Sequence, residues 1–321
     1  MGTAEKIISF LAEGENLFIS GEELSRSLGV SRSAVWKQIK ALRLEGFNIA
    51  AEPSRGYRLV SSPDRLRAAA LKGLIECSRI GKRIISLDET VSTNSVAFSM
   101  AEEGETEGTI VIADSQSSGK GRLGRRWTSP AGVNLYCSII LRPPIQPVAA
   151  PQLTFLSVVA VARAIEKVCG ISPRIKWPND ILVDAKKVAG LLNEMSAETD
   201  KVNFVILGIG VNLNMTKEQF PDDLRHPATS LFLETGKKVD RTQFVRVMIQ
   251  ELDELYSGFL ADGYGAARSE WLERSRLNGE MVTVTDSGSV KKGRVVGIDG
   301  FGALLLDTGE QILSGDVVIG E

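Results

Sequence analysis

The chain has 321 residues, 43% of them hydrophobic and 24% charged, with a formal net charge of −2 and a single histidine, His226. That length exceeds one core and points to two or three domains, and the charge balance does not by itself mark a nucleic-acid binder. One histidine excludes a histidine-rich metal site and argues against a Ser-His-Asp triad.

The N-terminus, MGTAEKIISFLAEGEN, lacks the basic start and cleavable apolar run of a signal peptide, and no stretch approaches the roughly 18 unbroken apolar residues of a membrane helix. A cytoplasmic location without a membrane partner is expected. Ile7, Ile8 and Leu11 give an apolar helical face, and SGEELSRSLGVSRSAVWKQIKALRLEGF then reads as helix, glycine turn, helix. Ser20 with Glu23 suggests a capping box on the first of this pair, and Ser31 a cap on the second. In the second helix Val35, Ile39 and Leu42 face inward and Arg32, Lys37, Lys40 and Arg43 outward, with no acid between Arg26 and Leu44. IAAEPSRGYRL follows as a hairpin tipped by Ser54-Arg55-Gly56. This is the outline of a winged helix-turn-helix over residues 1–62, with Arg32, Ser33, Lys37, Lys40 and Arg55 as candidate DNA contacts. One such unit touches few bases, so specific binding implies a homodimer.

Residues 63–275 form a middle domain. Strand-like runs occur at RIISL, TIVIADSQ, NLYCSIIL, DILVD, VAGLLNEM and NFVILGIGVNLN. Helices are expected near Ser95 to Glu103, Pro151 to Cys169 and Asp240 to Leu260. The stripe Phe244, Met248, Leu252, Leu255 and Phe259 in the last of these reads as core. Strands outnumber helices and are often adjacent, which favours an α+β fold with a mixed sheet over a doubly wound one. Beyond Asn278, short alternating strands between Asp-Gly, Ser-Gly and Thr-Gly turns describe a small barrel over 276–321, which must lean on the middle domain for its core. Cys77, Cys137 and Cys169, widely spaced and with no C-x-x-C pair, read as core thiols.

The stretch GKGRLGRRW, Gly119 to Trp127, matches G-x-G-x-x-G, but no long helix can follow through Pro130 and Gly132, and no acid appears between Asp114 and Glu166. The dinucleotide reading therefore fails. So does a phosphate loop of the Walker type, because Asp114 stands where its first glycine must be. What remains is a loop whose glycines admit close backbone approach and whose Lys120, Arg122, Arg125 and Arg126 hold an anion. Like-charge repulsion and glycine entropy oppose its order when empty, so it is expected to close over a ligand. In KWPNDILVDAKKVAG a turn at Trp177–Asp180 and a second at Asp184–Lys186 bring Lys187 to the start of a strand, with Val188 on the opposite face. DETVSTNS, Asp88 to Ser95, presents hydroxyls and an amide before a helix, by default a capping arrangement.

Together these segments resemble the biotin protein ligases, and the N-terminal unit resembles the bifunctional ligases that double as biotin operon repressors. The resemblance runs over essentially the whole chain and rests on G-[RK]-G-R-x-G-R-x-W, K-W-P-N-D with a lysine soon after, and G-x-G-V-N at Gly208 to Asn212. It implies a central core like that of the class II aminoacyl-tRNA synthetases and an SH3-like C-terminal barrel. Biotin and ATP would be substrates, Mg2+ a cofactor, and biotinyl-5′-AMP both intermediate and corepressor. Apo biotin carboxyl carrier protein and operator DNA would be partners. By the same carry-over Lys187, Arg122 and Asp180 would be catalytic. Ser92, Thr93, Asn94, Gln116, Lys120 and Gly121 would join Arg122 and Lys187 around biotin, and Gly119, Gly124, Arg125, Trp127, Asn179 and Asn212 would line the adenylate. No residue is assigned as a metal ligand. The family usually has arginine where this chain has Lys120, which keeps charge but not bidentate geometry. A lipoate or octanoate ligase or transferase, or a ligand-sensing transcription factor, is the alternative.

Overall fold

In the computed structural model, which describes every residue except 1–2, 15–16, 45–46, 62–65, 73–76, 78, 287–288 and 321, the chain divides into two units, Met1–Glu76 and Cys77–Glu321. The domain boundary expected at 62/63 lies outside the described residues.

The first unit contains helices α1 (Thr3–Glu13), α2 (Gly21–Leu28) and α3 (Arg32–Leu44), the antiparallel hairpin β1 (Asn48–Glu52) and β2 (Gly56–Ser61), and a short α4 (Ala68–Lys72). Ser20 caps α2 by accepting from the Glu23 amide at 3.0 Å, and Ser31 caps α3 through the Ala34 amide at 3.2 Å. Gly29 turns the chain between them at φ 66°, a left-handed conformation that glycine adopts without steric penalty. Ile7, Ile8 and Leu11 pack against Leu24, Val35, Ile39, Leu42 and Ile49 in one core. Arg43 is exposed, as expected of the outward face, and also has a structural role. Its guanidinium donates to the Ile49 carbonyl at 3.0 and 2.6 Å, tying α3 to β1.

The second unit is built on a seven-stranded sheet. Its elements in order are β3 (Ile84–Thr90), α5 (Thr93–Glu102), β4 (Ile110–Gln116), β5 (Gly119–Lys120), β6 (Arg126–Trp127), β7 (Leu135–Leu141), α6 (Pro151–Cys169), β8 (Arg174–Lys176), β9 (Asp180–Val183), β10 (Lys186–Ala197), β11 (Val202–Val211), α7 (Leu231–Thr235), α8 (Arg241–Asp262) and α9 (Gly265–Ser275). The sheet runs β3-β4-β7-β11-β10-β9-β8. Only β3 and β4 pair in parallel, so the sheet is mixed, as expected for the α+β class. Ala97 and Ala101 of α5 pack on Val111, Ile140, Phe204 and Ile206 of the sheet. Helix α6, with its lead-in from Pro147, is long and apolar enough to cross a membrane by length and composition, at mean hydropathy 1.6, although Gln152, Thr154, Ser157 and Arg163 break its apolar run, consistent with the expectation of no unbroken span. The structure uses it as a core helix: Phe155, Val158, Val159, Ala162 and Ile165 are buried, and it packs on α8 and α9. A helix surrounded by protein needs no polar face, which is why it reads like a span. Of the three cysteines only Cys137 is fully buried, and Cys77 and Cys169 are half-buried free thiols.

The C-terminal strands β12 (Met281–Asp286), β13 (Ser289–Ile298), β14 (Leu304–Leu306), β15 (Gln311–Ile312) and β16 (Asp316–Ile319) form an antiparallel sheet in the order β15-β14-β13-β12-β16. It rests on the larger sheet's helices and turns. Trp177 Nε1 donates to the Gly302 carbonyl at 3.1 Å and Gln152 to Gly300 at 2.6 Å. Gly302 lies so close to Phe155 that a Cβ there would meet its ring at 2.3 Å.

Candidate functional site

The basic loop is closed at its base by β5 and β6, which pair Gly119 with Trp127 and Lys120 with Arg126. At its tip Leu123 and Gly124 both take left-handed backbone, φ 57° and 71°, and Leu123 is 67% exposed. An exposed leucine in that region carries strain of about 1 kcal/mol or more, as loops at working sites often do. Each cation of the loop has a protein partner. Lys120 reaches Glu194 at 3.3 Å, Arg122 donates to Asn179 Oδ1 at 3.1 Å, Arg125 pairs with Asp316 at 2.6 Å, and Arg126 donates to the Ser117 carbonyl at 2.8 Å. These pairings offset the mutual repulsion that the sequence suggested would keep the loop unformed.

The second constellation is held more rigidly. Asn179 is buried, its amide donating to the Leu191 carbonyl at 2.5 Å while its oxygen accepts from Arg122, so it positions the guanidinium. Asp184 and Ala185 form the two-residue turn with φ 46° and 63°. The turn sets Lys187 opposite Leu182 on β9. The Lys187 amide donates to Pro227 and its carbonyl accepts from Thr229, so this lysine does not sit on a free edge. Its ammonium lies 2.6 Å from Asp180 and 5.4 Å from the centre of the Trp127 ring. Val188, on the other face, is fully buried.

Arg122 and Lys187, 65 positions apart in sequence, line one cavity of 780 Å3 with Lys120, Trp127, Asn179 and Asp180. Burial lowers the Arg122 pKa from the ordinary arginine value, opposed by the nearby Asp180 and Asp316 carboxylates. It stays cationic at neutral pH. Beside this cavity is a notch of 30 Å3 lined by Ser92, Thr93, Asn94 and Gln116. Ser92 does stand at the N-cap of α5, yet its hydroxyl makes no capping bond, contrary to the default expectation. Gln116 accepts from the Thr93 amide at 2.8 Å and donates to Ser129 at 2.9 Å. The Asn94 amide is held on both sides, donating to the Leu192 carbonyl and to Glu194 and accepting from Ser138 at 2.6 Å. With its hydrogen-bonding capacity used in this way, Asn94 acts as a strut of the notch wall. Gly190 and Gly210 form the floor, facing each other across β10 and β11, and Trp127 lies on them: a Cβ on Gly210 would come 2.7 Å from its ring. Gly121 and Arg125 line the cavity. Asn212 lines it as well, but its amide is buried and donates to Thr229.

Four residues of this region escaped the sequence reading. Glu194 pairs with Lys120 and Asn94, and Ser138 joins Asn94 to Thr93 from the neighbouring strand. Asp316, from the C-terminal sheet, binds Arg125 and Arg225; the Arg125 bond holds its pKa below the ordinary value. His226 lines the cavity with its Nε2 buried and unpartnered, and burial followed by the Lys176 charge lowers its pKa. Only His226 carried a sequence signal, as the one histidine in the chain.

In the first unit Arg32, Ser33, Lys37 and Lys40 are exposed along α3. The exposed Trp36 stands among them, with the Lys40 ammonium 5.6 Å from its ring. Arg55 at the hairpin tip pairs with Glu52 at 2.7 Å and stacks 4.4 Å from the Phe18 ring centre.

Comparison with known proteins adds three findings. Residues 84–212 match the biotin/lipoate A/B protein ligase family, residues 3–58 a helix-turn-helix domain, and residues 278–320 the biotin protein ligase C-terminal domain. The chain is 38% identical to the bifunctional ligase/repressor BirA of Bacillus subtilis, covering 98% of both, and 32% identical to that of Escherichia coli, covering 94% of this chain and 91% of the relative. Its structure resembles the biotin protein ligase of Aquifex aeolicus in complex with biotin and ATP, with TM-score 0.64 at 30% identity over 75% of this chain and 99% of that one.

Proposed function

The chain belongs to the family of bifunctional ligase/repressors that join biotin to proteins, and from that premise we propose that it makes biotinyl-5′-AMP from biotin and ATP, passes the biotin to a carrier lysine, and represses biotin genes as a DNA-bound homodimer in the cytoplasm. The observation that carries the catalytic reading is the meeting of Arg122 and Lys187 in one cavity. In the first step a carboxylate oxygen of biotin attacks the α-phosphorus, and the bond to pyrophosphate breaks. Both reactants are anions, and two unit charges 4 Å apart repel by about 4 kcal/mol at an effective dielectric near 20. Lys187 holds the carboxylate and then a phosphate oxygen, while Arg122, aimed by Asn179, stays on the phosphate as charge develops. Ser92, Thr93, Asn94 and Gln116 face the uncharged ring. Trp127 and the loop bearing Gly119, Gly121, Gly124 and Arg125 exclude water from the anhydride.

In the second step the neutral amine of a carrier lysine attacks the acyl carbon, AMP departs with its oxygen, and a proton is lost. Asp180 orients that amine and receives the proton. Mg2+, when bound, would supply positive charge to the leaving pyrophosphate.

On the DNA side, Arg32, Ser33, Lys37 and Lys40 of α3 enter the major groove and Arg55 touches the backbone. Incubation with ATP, biotin and an apo carrier domain, followed by mass measurement of the carrier, tests the enzyme. A carrier that gains no biotin, or that gains lipoate instead when both acids are supplied, refutes it.

A further inference from the structure

We propose that Glu194 is a positioning residue for biotin binding, holding the first cation of the basic loop across the mouth of the notch; this rests on the ligase reading above. Its carboxylate bridges two side chains that line the notch without lining it itself. One oxygen accepts from Asn94 at 2.8 Å and the other faces the Lys120 ammonium at 3.3 Å. Asn94 belongs to the fixed wall: its amide also donates to Leu192, and its oxygen lies against Gly208, where a Cβ would come within 2.2 Å. Lys120 belongs to the loop, at the second residue of β5. Glu194 therefore ties the basic loop to the opposite wall of the notch.

The pair is half-exposed, at 44% for the Lys120 side chain and 30% for Glu194, so its strength is that of a partly screened ion pair. Its leverage comes from where it acts. Ordering a glycine-rich cationic loop is the costly part of closing the site, and a contact that biases the ordered form slows ligand escape without touching the reacting atoms. Lysine suits this poorly, since one ammonium makes a single-point contact where a guanidinium grips a carboxylate with two bonds.

The test uses the full chain with Glu194→Gln, Lys120→Gln, the double variant and Lys120→Arg, in ATP–pyrophosphate exchange with biotin and in biotin dissociation experiments. Glutamine at 194 can still accept from Asn94 and removes only the ion pair. Glu194→Gln is expected to raise KM for biotin and its dissociation rate about two- to five-fold with kcat unchanged. The change should vanish in the Lys120→Gln background and in high salt, and Lys120→Arg should tighten binding only when Glu194 is present. Additive effects of the two glutamine variants, or a fall in melting temperature without a change in KM, overturn the proposal while leaving the ligase reading intact. Absence of biotin-dependent exchange in the unmutated chain overturns that reading and this proposal with it.

Discussion

Gly210→Ala places a methyl group where the Trp127 indole now lies. The new Cβ would stand 2.7 Å from Cε2 and 2.8 Å from Nε1, against ordinary contacts of 3.4 to 4 Å. Roughly 0.7 Å of movement is needed, and close-packed interiors do not supply it freely. The ring is part of a rigid side chain whose backbone pairs with Gly119, and Lys187 lies beneath it, so the indole must tilt away from the floor and from the ammonium. Overpacking of this kind costs about 1–3 kcal/mol, and each kcal/mol lowers the melting temperature of a unit this size by about 2–4 °C. The tilted ring also ceases to shield the site, so KM for biotin in the exchange assay should rise. Gly190→Ala is the contrast. Its Cβ would meet Lys187 Cε at 2.9 Å, the far end of a flexible chain, and Trp127 Cζ3 at 3.0 Å, a lighter overlap with the ring than at Gly210, so the loss of stability should be smaller while kcat falls. The reasoning is refuted if Gly210→Ala melts and binds biotin normally, or if its cost persists after Trp127→Ala has removed the ring.

Lys187→Gln should lower exchange by about 10²–10³-fold, the scale for losing one aimed charge-stabilising donor, with the initial rate at saturating substrates as the measure. Asp180→Asn should leave adenylate formation measurable and slow transfer to the carrier by at least about 10²-fold, seen as a larger loss in single-turnover carrier labelling than in exchange. Lys37→Ala should weaken gel-shift affinity on the biotin-gene operator and reduce the slope of log K against log salt by about 0.9, provided that lysine neutralises one phosphate. Asp316 is held below its ordinary pKa of 3.8 first by its hydrogen bond from Arg125. The unfolded chain therefore binds its proton more readily, and the stability it contributes is present above that value and lost as pH falls through the lower, folded one. Asp316→Asn should flatten the acid limb of stability in urea melts between about pH 2 and 5.

The sequence exposed those parts of the molecule whose physics is local. The caps at Ser20 and Ser31, a turn after Val183 and the buried face of Val35, Ile39 and Leu42 each follow from neighbours within a few positions; the turn is one residue shorter than read, with Lys186 already in β10, and at Ser20 the structure shows the serine's half of the expected capping box. Membership of the loop and of the Lys187 strand in one cavity was legible only through family motifs, because nothing local brings position 122 to position 187. What stayed hidden depends on tertiary neighbours. Arg43 looks like any surface cation until β1 presents it with the Ile49 carbonyl. Glu194 looks like the solvated end of a strand until β5 delivers Lys120. Asp316 lies 191 positions from its partner Arg125. In all three the deciding term is an electrostatic contact made by folding, and pattern and propensity carry no trace of it. Function rests heavily on such terms: charges that neutralise one another within the loop are those whose rearrangement on binding can favour the reacting state.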